Sequence, residues 1–243
     1  MTKIVAANWK MHKGPKEAQV FWETFKKSPL APNTEVLFFP QALALETAAR
    51  NLVGTPFQFG AQTCHYENQG AFTGELSPSD LKAMGASTVL VGHSERRSLF
   101  GETDDIVRKK LVAAWKAELR PLLCIGETAK ERESGQTEKV LQRQLTSALG
   151  EPTAPLIVAY EPVWAIGTGK TATPEMAEET QALVARILKK LGMGPTPILY
   201  GGSVKPENAA ELAIQPHISG FLVGGASLDP QSFASIVAKA AAG

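Results

Sequence analysis

The chain has 243 residues, 44% hydrophobic and 20% charged, which excludes a disordered polypeptide and leaves room for one or two domains. Twenty-five basic residues against 24 acidic ones leave a net charge of +1, without the basic excess of a nucleic-acid binder. Cys64 and Cys124 are the only cysteines, so a disulfide framework is excluded; with no signal-peptide core and no long apolar run, the expectation is a cytoplasmic globular protein with no membrane partner.

In chain order, short apolar runs stand at Ile4–Asn8, Glu35–Pro40, Phe57–Gln62, Ser87–Gly92, Pro121–Gly126, Leu156–Glu161, Pro197–Gly201 and Gly220–Gly224. They do not alternate polar with apolar, the pattern of parallel strands buried on both faces. Helical stripes lie between them. Ala18, Phe21, Trp22 and Phe25 fall at i, i+3, i+4, i+7, as do Val184, Ile187, Leu188 and Leu191. Val107, Leu111, Ala114 and Trp115 form another stripe, and Phe233, Ile236, Val237 and Ala240 close the chain. Pro15, Pro78, Pro174, Pro206 and Pro230 each mark a helix start, where a fixed φ and a missing N–H do no harm. Ser77, Thr173 and Asp229 precede three of them as N-caps. No linker or low-complexity stretch divides the sequence. The reading is an α/β protein, a single domain over residues 1–243, built of eight strand–helix units of roughly 30 residues each. Eight such units close into a (β/α)8 barrel. An open doubly wound sheet is the alternative, but it prefers G-x-G-x-x-G after the first strand, where Asn8-Trp9-Lys10-Met11 stands.

A barrel carries its active site at the C-terminal ends of its strands. Strand one ends in Asn8 and Lys10, strand four in Gly92-His93-Ser94-Glu95, strand six in Tyr160-Glu161, strand seven in Gly201-Gly202-Ser203, and strand eight in Gly224-Gly225. Glu161 closes an apolar strand, where partial desolvation would raise its pKa and make it a better base. Position alone fits equally well a structural carboxylate paired with Arg or Lys. His93 reads either as a hydrogen-bonded structural histidine or as a neutral catalytic one, whose charged form a helix N-terminus would disfavour. Lys10 reads as a surface charge or as fixed positive charge facing an anion. The two glycine pairs make tight turns or leave backbone N–H groups free for phosphate, and their occurrence in the loops after strands seven and eight favours phosphate. No metal-binding spacing occurs.

Gly169-Lys170-Thr171 lacks the glycine a P-loop needs at position 164, which is Trp164. Gly92-His93-Ser94-Glu95-Arg96 has arginine where a nucleophile elbow needs glycine. The segment Pro162-Val163-Trp164-Ala165-Ile166-Gly167-Thr168-Gly169-Lys170-Thr171-Ala172 has glycines between stiffer ends, as a closing lid would.

Asn8-Trp9-Lys10-Met11, Gly92 to Arg97, Ala159 to Gly169, Tyr200 to Ser203 and Val223 to Gly225 resemble, in order and spacing, the motifs of the triosephosphate isomerase family. The similarity spans essentially the whole chain. His12 stands where asparagine is common and Ser98 where many members have histidine, neither a core catalytic position. The resemblance implies a TIM barrel that interconverts dihydroxyacetone phosphate and glyceraldehyde 3-phosphate, in glycolysis and gluconeogenesis, without metal or cofactor. It implies Glu161 as the base, with His93 polarising the carbonyl. Lys10 and Asn8 would stabilise negative charge and Glu95 would orient this shell. Gly167, Ser203, Gly224 and Gly225 would hold the phosphate through backbone N–H groups. A neutral histidine and lid closure are familiar properties of the family, taken over with the resemblance. The family is usually a homodimer, joined by the loop after strand three, here Thr63–Ser77; Gln62 and Thr73 would support Lys10 across that interface. Two alternatives keep the barrel: a Schiff-base aldolase using Lys10, and a non-catalytic phosphate-binding barrel with no need of Glu161.

Overall fold

The computed structural model describes residues 2–29, 31–150, 155–165 and 172–243. Among them the strands are β1 (Lys3–Asn8), β2 (Thr34–Phe39), β3 (Gln58–Ala61), β4 (Thr88–Val91), β5 (Arg120–Ile125), β6 (Ile157–Tyr160), β7 (Ile198–Tyr200) and β8 (Gly220–Val223). Each pairs in parallel with the next, and β1 pairs with β8 from Ile4↔Gly220 to Ala7↔Val223, so the eight strands close into a barrel. All eight apolar runs are strands, and the open doubly wound sheet is excluded by this closure.

Closure explains the unbroken apolar runs. Ile4, Ala6, Leu37, Phe39, Leu90, Leu122, Cys124, Ile157, Ala159, Leu199 and Leu222 fill the barrel interior. The alternate residues, among them Val5, Ala7, Val36 and Phe38, pack outward against the helices. Both faces are therefore out of water, as parallel strands with covering helices require.

The helices are α1 (Pro15–Phe25), α2 (Leu45–Leu52), α3 (Pro78–Ala83), α4 (Ser94–Leu99), α5 (Asp104–Lys116), α6 (Ala129–Glu133), α7 (Thr137–Leu149), α8 (Pro174–Lys190), α9 (Ala209–Ala213) and α10 (Pro230–Ala241). Pro15, Pro78, Pro174 and Pro230 open α1, α3, α8 and α10, and Ser77, Thr173 and Asp229 accept the backbone N–H of Asp80, Met176 and Ser232. Pro206 is different: it lies in a turn and α9 begins only at Ala209. The Asn208 amide takes over that turn, accepting from Lys205 N at 2.8 Å and donating to Ser203 O at 3.0 Å. On α1 and α10 the apolar stripes converge with β1 and β2 in one aromatic cluster, where Trp9 lies 4.8 Å from Phe21 and Phe233 lies 5.6 Å from Phe38.

No helix among the described residues is long and apolar enough to cross a membrane. Both cysteines are buried and free.

Candidate active site

At the C-terminal mouth of the barrel lies a cavity of about 390 Å³. It is lined by Asn8, Lys10, His93, Glu95, Glu161, Gly201 to Lys205, Leu222 and Gly224 to Ala226. The polar residues expected at the strand ends thus face a single space, of the size that small ligands occupy.

Lys10 follows β1 in a left-handed backbone conformation, φ +50°, which costs a non-glycine residue about 1 kcal/mol. Two side chains hold it there. Its N–H donates to Asn8 Oδ1 at 3.1 Å, and Gln62 Nε2 donates to its carbonyl at 2.8 Å and to Phe39 O at 2.9 Å. The turn aims the ammonium at Glu95, with Nζ to Oε1 at 2.5 Å. Gln62, expected to act across an interface, supports Lys10 within its own chain.

His93 caps α4, and its Nδ1 accepts the backbone N–H of Glu95 at 3.2 Å. With Nδ1 an acceptor, the ring of the neutral imidazole carries its proton on Nε2. That nitrogen lies 2.9 Å from Glu161 Oε1, and Glu161 Oε2 accepts from Ser94 N, also at 2.9 Å.

Glu161 is only 2% exposed. Burial does push its pKa up, as the sequence suggested, but the net direction is down. His93, the Ser94 N–H and the Lys10 charge together outweigh desolvation. The expectation of a raised pKa was incomplete, because it counted the apolar strand and not the donors at the end of β4. For His93 burial lowers the pKa, and the adjacent Glu161 carboxylate more than offsets this. Besides Glu161, the ring faces the Glu95 carboxylate 3.7 Å from Nδ1, which favours the imidazolium, and the Lys10 charge, which disfavours it.

Ser203, Gly224 and Gly225, in the turns after β7 and β8, also line the cavity. Gly167 lies outside the described residues, as do positions 166–171 of the expected lid. Its described start is a short 3-10 turn, Val163–Ala165. Thr73 sits exposed in a turn and does not line the cavity.

The end of β5 holds residues that the sequence reading passed over, although the same strand-end rule points to Gly126 and Glu127. Fully buried Glu127 accepts from Arg132 NH1 at 2.9 Å, Tyr160 OH at 3.0 Å and Trp164 Nε1 at 3.3 Å. The Arg132 guanidinium also lies 4.8 Å from the Trp164 ring centre. This cluster fastens the turn Val163–Ala165 to β5 and α6. Ser94, a donor through its backbone, leaves no side-chain signal in the sequence.

Residues 3–240 match the family model described as triosephosphate isomerase. The chain is 55% identical over 238 residues to the triosephosphate isomerase of Bdellovibrio bacteriovorus, covering 97% of this chain and 99% of that protein. It is 48% identical over 244 residues to the enzyme of that name from Aquifex aeolicus, covering 98% and 99% of the two chains. For that of Lacticaseibacillus casei the identity is 46%, with 97% of each chain covered. The chain belongs to the triosephosphate isomerase family.

Proposed function

We propose that the chain interconverts dihydroxyacetone phosphate and glyceraldehyde 3-phosphate by proton transfer through an enediol(ate), with Glu161 as the base. The observation that carries this reading is the direct 2.9 Å contact between Glu161 and His93, in a cavity shared with Lys10. Glu161, held ionised, leaves His93 and Ser94 to take the proton from the carbon next to the substrate carbonyl. His93 then turns its Nε2–H to the carbonyl oxygen, which gains the electron pair as the C–H bond breaks. Returning the proton to the neighbouring carbon, with the hydroxyl proton moved by His93, completes the isomerisation with no change in atoms or electrons. Lys10 and Asn8 offset the negative charge that develops on oxygen. Glu95 orients both partners, binding Lys10 Nζ through its carboxylate and His93 Nδ1 through its N–H.

The phosphate sits against the backbone N–H groups of Ser203, Gly224 and Gly225, with Gly167 joining from the lid Pro162–Ala172. Closure of the lid excludes water and keeps the intermediate from losing phosphate. The test is the conversion of glyceraldehyde 3-phosphate to dihydroxyacetone phosphate followed directly by proton NMR, with chelator present and no nucleotide. Turnover is expected, and its absence in folded protein would sink the reading. Borohydride with substrate should leave Lys10 unmodified, whereas a reduced lysine adduct would favour an aldolase.

The whole chain 1–243 is read as one cytoplasmic domain that works as a homodimer and binds neither nucleic acid nor membrane. A second cavity of about 370 Å³ adjoins the first, sharing Asn8, Lys10, His93 and Glu95 and rimmed by Met11 and Phe100. Those two side chains are 90% and 67% exposed, an apolar rim suited to the loop Thr63–Ser77 of a second copy. Within that loop His65 stacks 4.0 Å from Phe72 and 4.2 Å from Tyr66, so a formed loop is available to insert. Sedimentation of Met11→Glu should show monomers where the unaltered chain shows dimers.

A further inference from the structure

Gly126 stands where the β4–β5 ladder has run out. The last pair is Val91↔Leu123, and β4 then turns away at Gly92 with φ +71°. On the β4 side no strand pair continues beside Gly126. One side chain from α7 takes both its N–H and its C=O: Gln144 Oε1 accepts from Gly126 N at 2.9 Å, and Gln144 Nε2 donates to Gly126 O at 3.1 Å. Gln144 is 5% exposed, so a bidentate amide here replaces the discontinued β4 pairing in the dry interior.

On its other side Gly126 meets the backbone of Glu161. A Cβ at Gly126 would lie 1.8 Å from Glu161 O and 2.8 Å from Glu161 C. The strand contact just before it is Glu161 N to Ile125 O at 2.7 Å. The path from the α7 amide to the Glu161 peptide is therefore a single glycine thick.

We propose that Gln144 is a positioning residue for the reaction, holding Gly126 as the fixed wall that sets the place of the Glu161 carboxylate relative to His93 and Ser94. The inference rests on the reading of Glu161 as the base. Gln144 does not line the cavity, and Ser203, Gly224 and Gly225, which do, follow β7 and β8 rather than β5. Its loss should therefore act on the chemical step and spare binding.

The test compares Gln144→Leu, Gln144→Glu and Glu161→Gln, assayed on glyceraldehyde 3-phosphate well below the melting temperature. In Gln144→Leu, kcat is expected to fall about tenfold or more with KM within about twofold, as small misplacements of a catalytic group do. The acid limb of its kcat/KM profile should move to higher pH, because a displaced Glu161 loses the Ser94 N–H that keeps it ionised. Gln144→Glu keeps the side-chain volume and the acceptor for Gly126 N, so a smaller fall in kcat is expected, and it carries the test if the leucine variant does not fold. A folded Gln144→Leu, or failing that Gln144→Glu, with kcat, KM and acid limb all unchanged overturns the proposal. Glu161→Gln separates the two ideas. If it stays active the reading of the base fails, and if it is inactive while both Gln144 variants are unaffected only the positioning role fails.

Discussion

The two walls of the cavity are made of different materials. On the β1, β4 and β6 side Asn8, Lys10, His93, Glu95 and Glu161 present charged or polar side chains, each holding another: Asn8 holds Lys10, Lys10 meets Glu95, the Glu95 N–H fixes His93, and His93 meets Glu161. On the β7 and β8 side the wall is turn backbone. It is braced from behind by Asn208 on Ser203 O at 3.0 Å and by Ser227 Oγ on Gly224 O at 2.7 Å. The difference teaches where single substitutions act. A wall of interlocked side chains fails when one member is lost, whereas a wall of backbone groups outlasts most changes of side chain.

Glu161→Gln should be the most damaging change, lowering kcat by about 10²–10⁴-fold, the usual contribution of a general base. The measurement is steady-state kinetics in both directions; near-normal kcat would break the contrast between the walls. Lys10→Gly should lower kcat/KM by about 10²-fold through loss of its charge. The same change relieves a left-handed residue and should raise stability by up to about 1 kcal/mol, read from urea unfolding. A variant that is both less active and less stable would show that φ +50° at Lys10 is not the strained feature described here.

Behind the side-chain wall, Glu102 tests whether the bracing is electrostatic. Burial pushes its pKa up, but Lys110 and Arg96 together hold it below its ordinary 4.5. A depressed folded-state value means stability fully present above about pH 4.5 and lost as pH falls through the lower folded pKa. Melting curves from pH 7 to 3 should accordingly show a smaller acid loss in Glu102→Gln than in the unaltered chain. Ser203→Ala should do least. The backbone N–H stays, so KM should rise no more than about threefold with kcat unchanged. A tenfold or larger rise would mean that the hydroxyl, rather than the backbone, forms that wall.

Much of this was legible in the sequence because strand ends and strand interiors obey separate rules. Apolar runs without alternation required burial on both faces, and barrel closure supplies it. Once a barrel is inferred, Asn8, Lys10, His93 and Glu161 share a rim by topology. Three things were not legible, each for a physical reason. The direction of the Glu161 pKa depends on a backbone N–H at Ser94 and on the ring of His93, 67 and 68 residues away by subtraction of their numbers. The delayed start of α9 after Pro206 depends on Asn208 turning its amide back onto Ser203 and Lys205, which competes with the helix. Gln144 gives no sign of its role, because on α7 it occupies one more buried position among Val140, Leu141 and Leu145. Its partner is a backbone, which has no signature in sequence.

Closure of β1 onto β8 carries a consequence for assembly. Lys10 and the Gly224-Gly225 turn lie at opposite ends of the chain, yet a Cβ on Gly224 would stand only 3.7 Å from Lys10 Cε. Their meeting requires the ring to be complete, the most non-local contact the topology contains and the one with the greatest loop-closure cost. A partly folded chain can hold most of its helices and several strand pairs without owning an active site. During refolding, turnover should therefore lag behind secondary structure, making enzymatic activity the natural clock for the last seam to close.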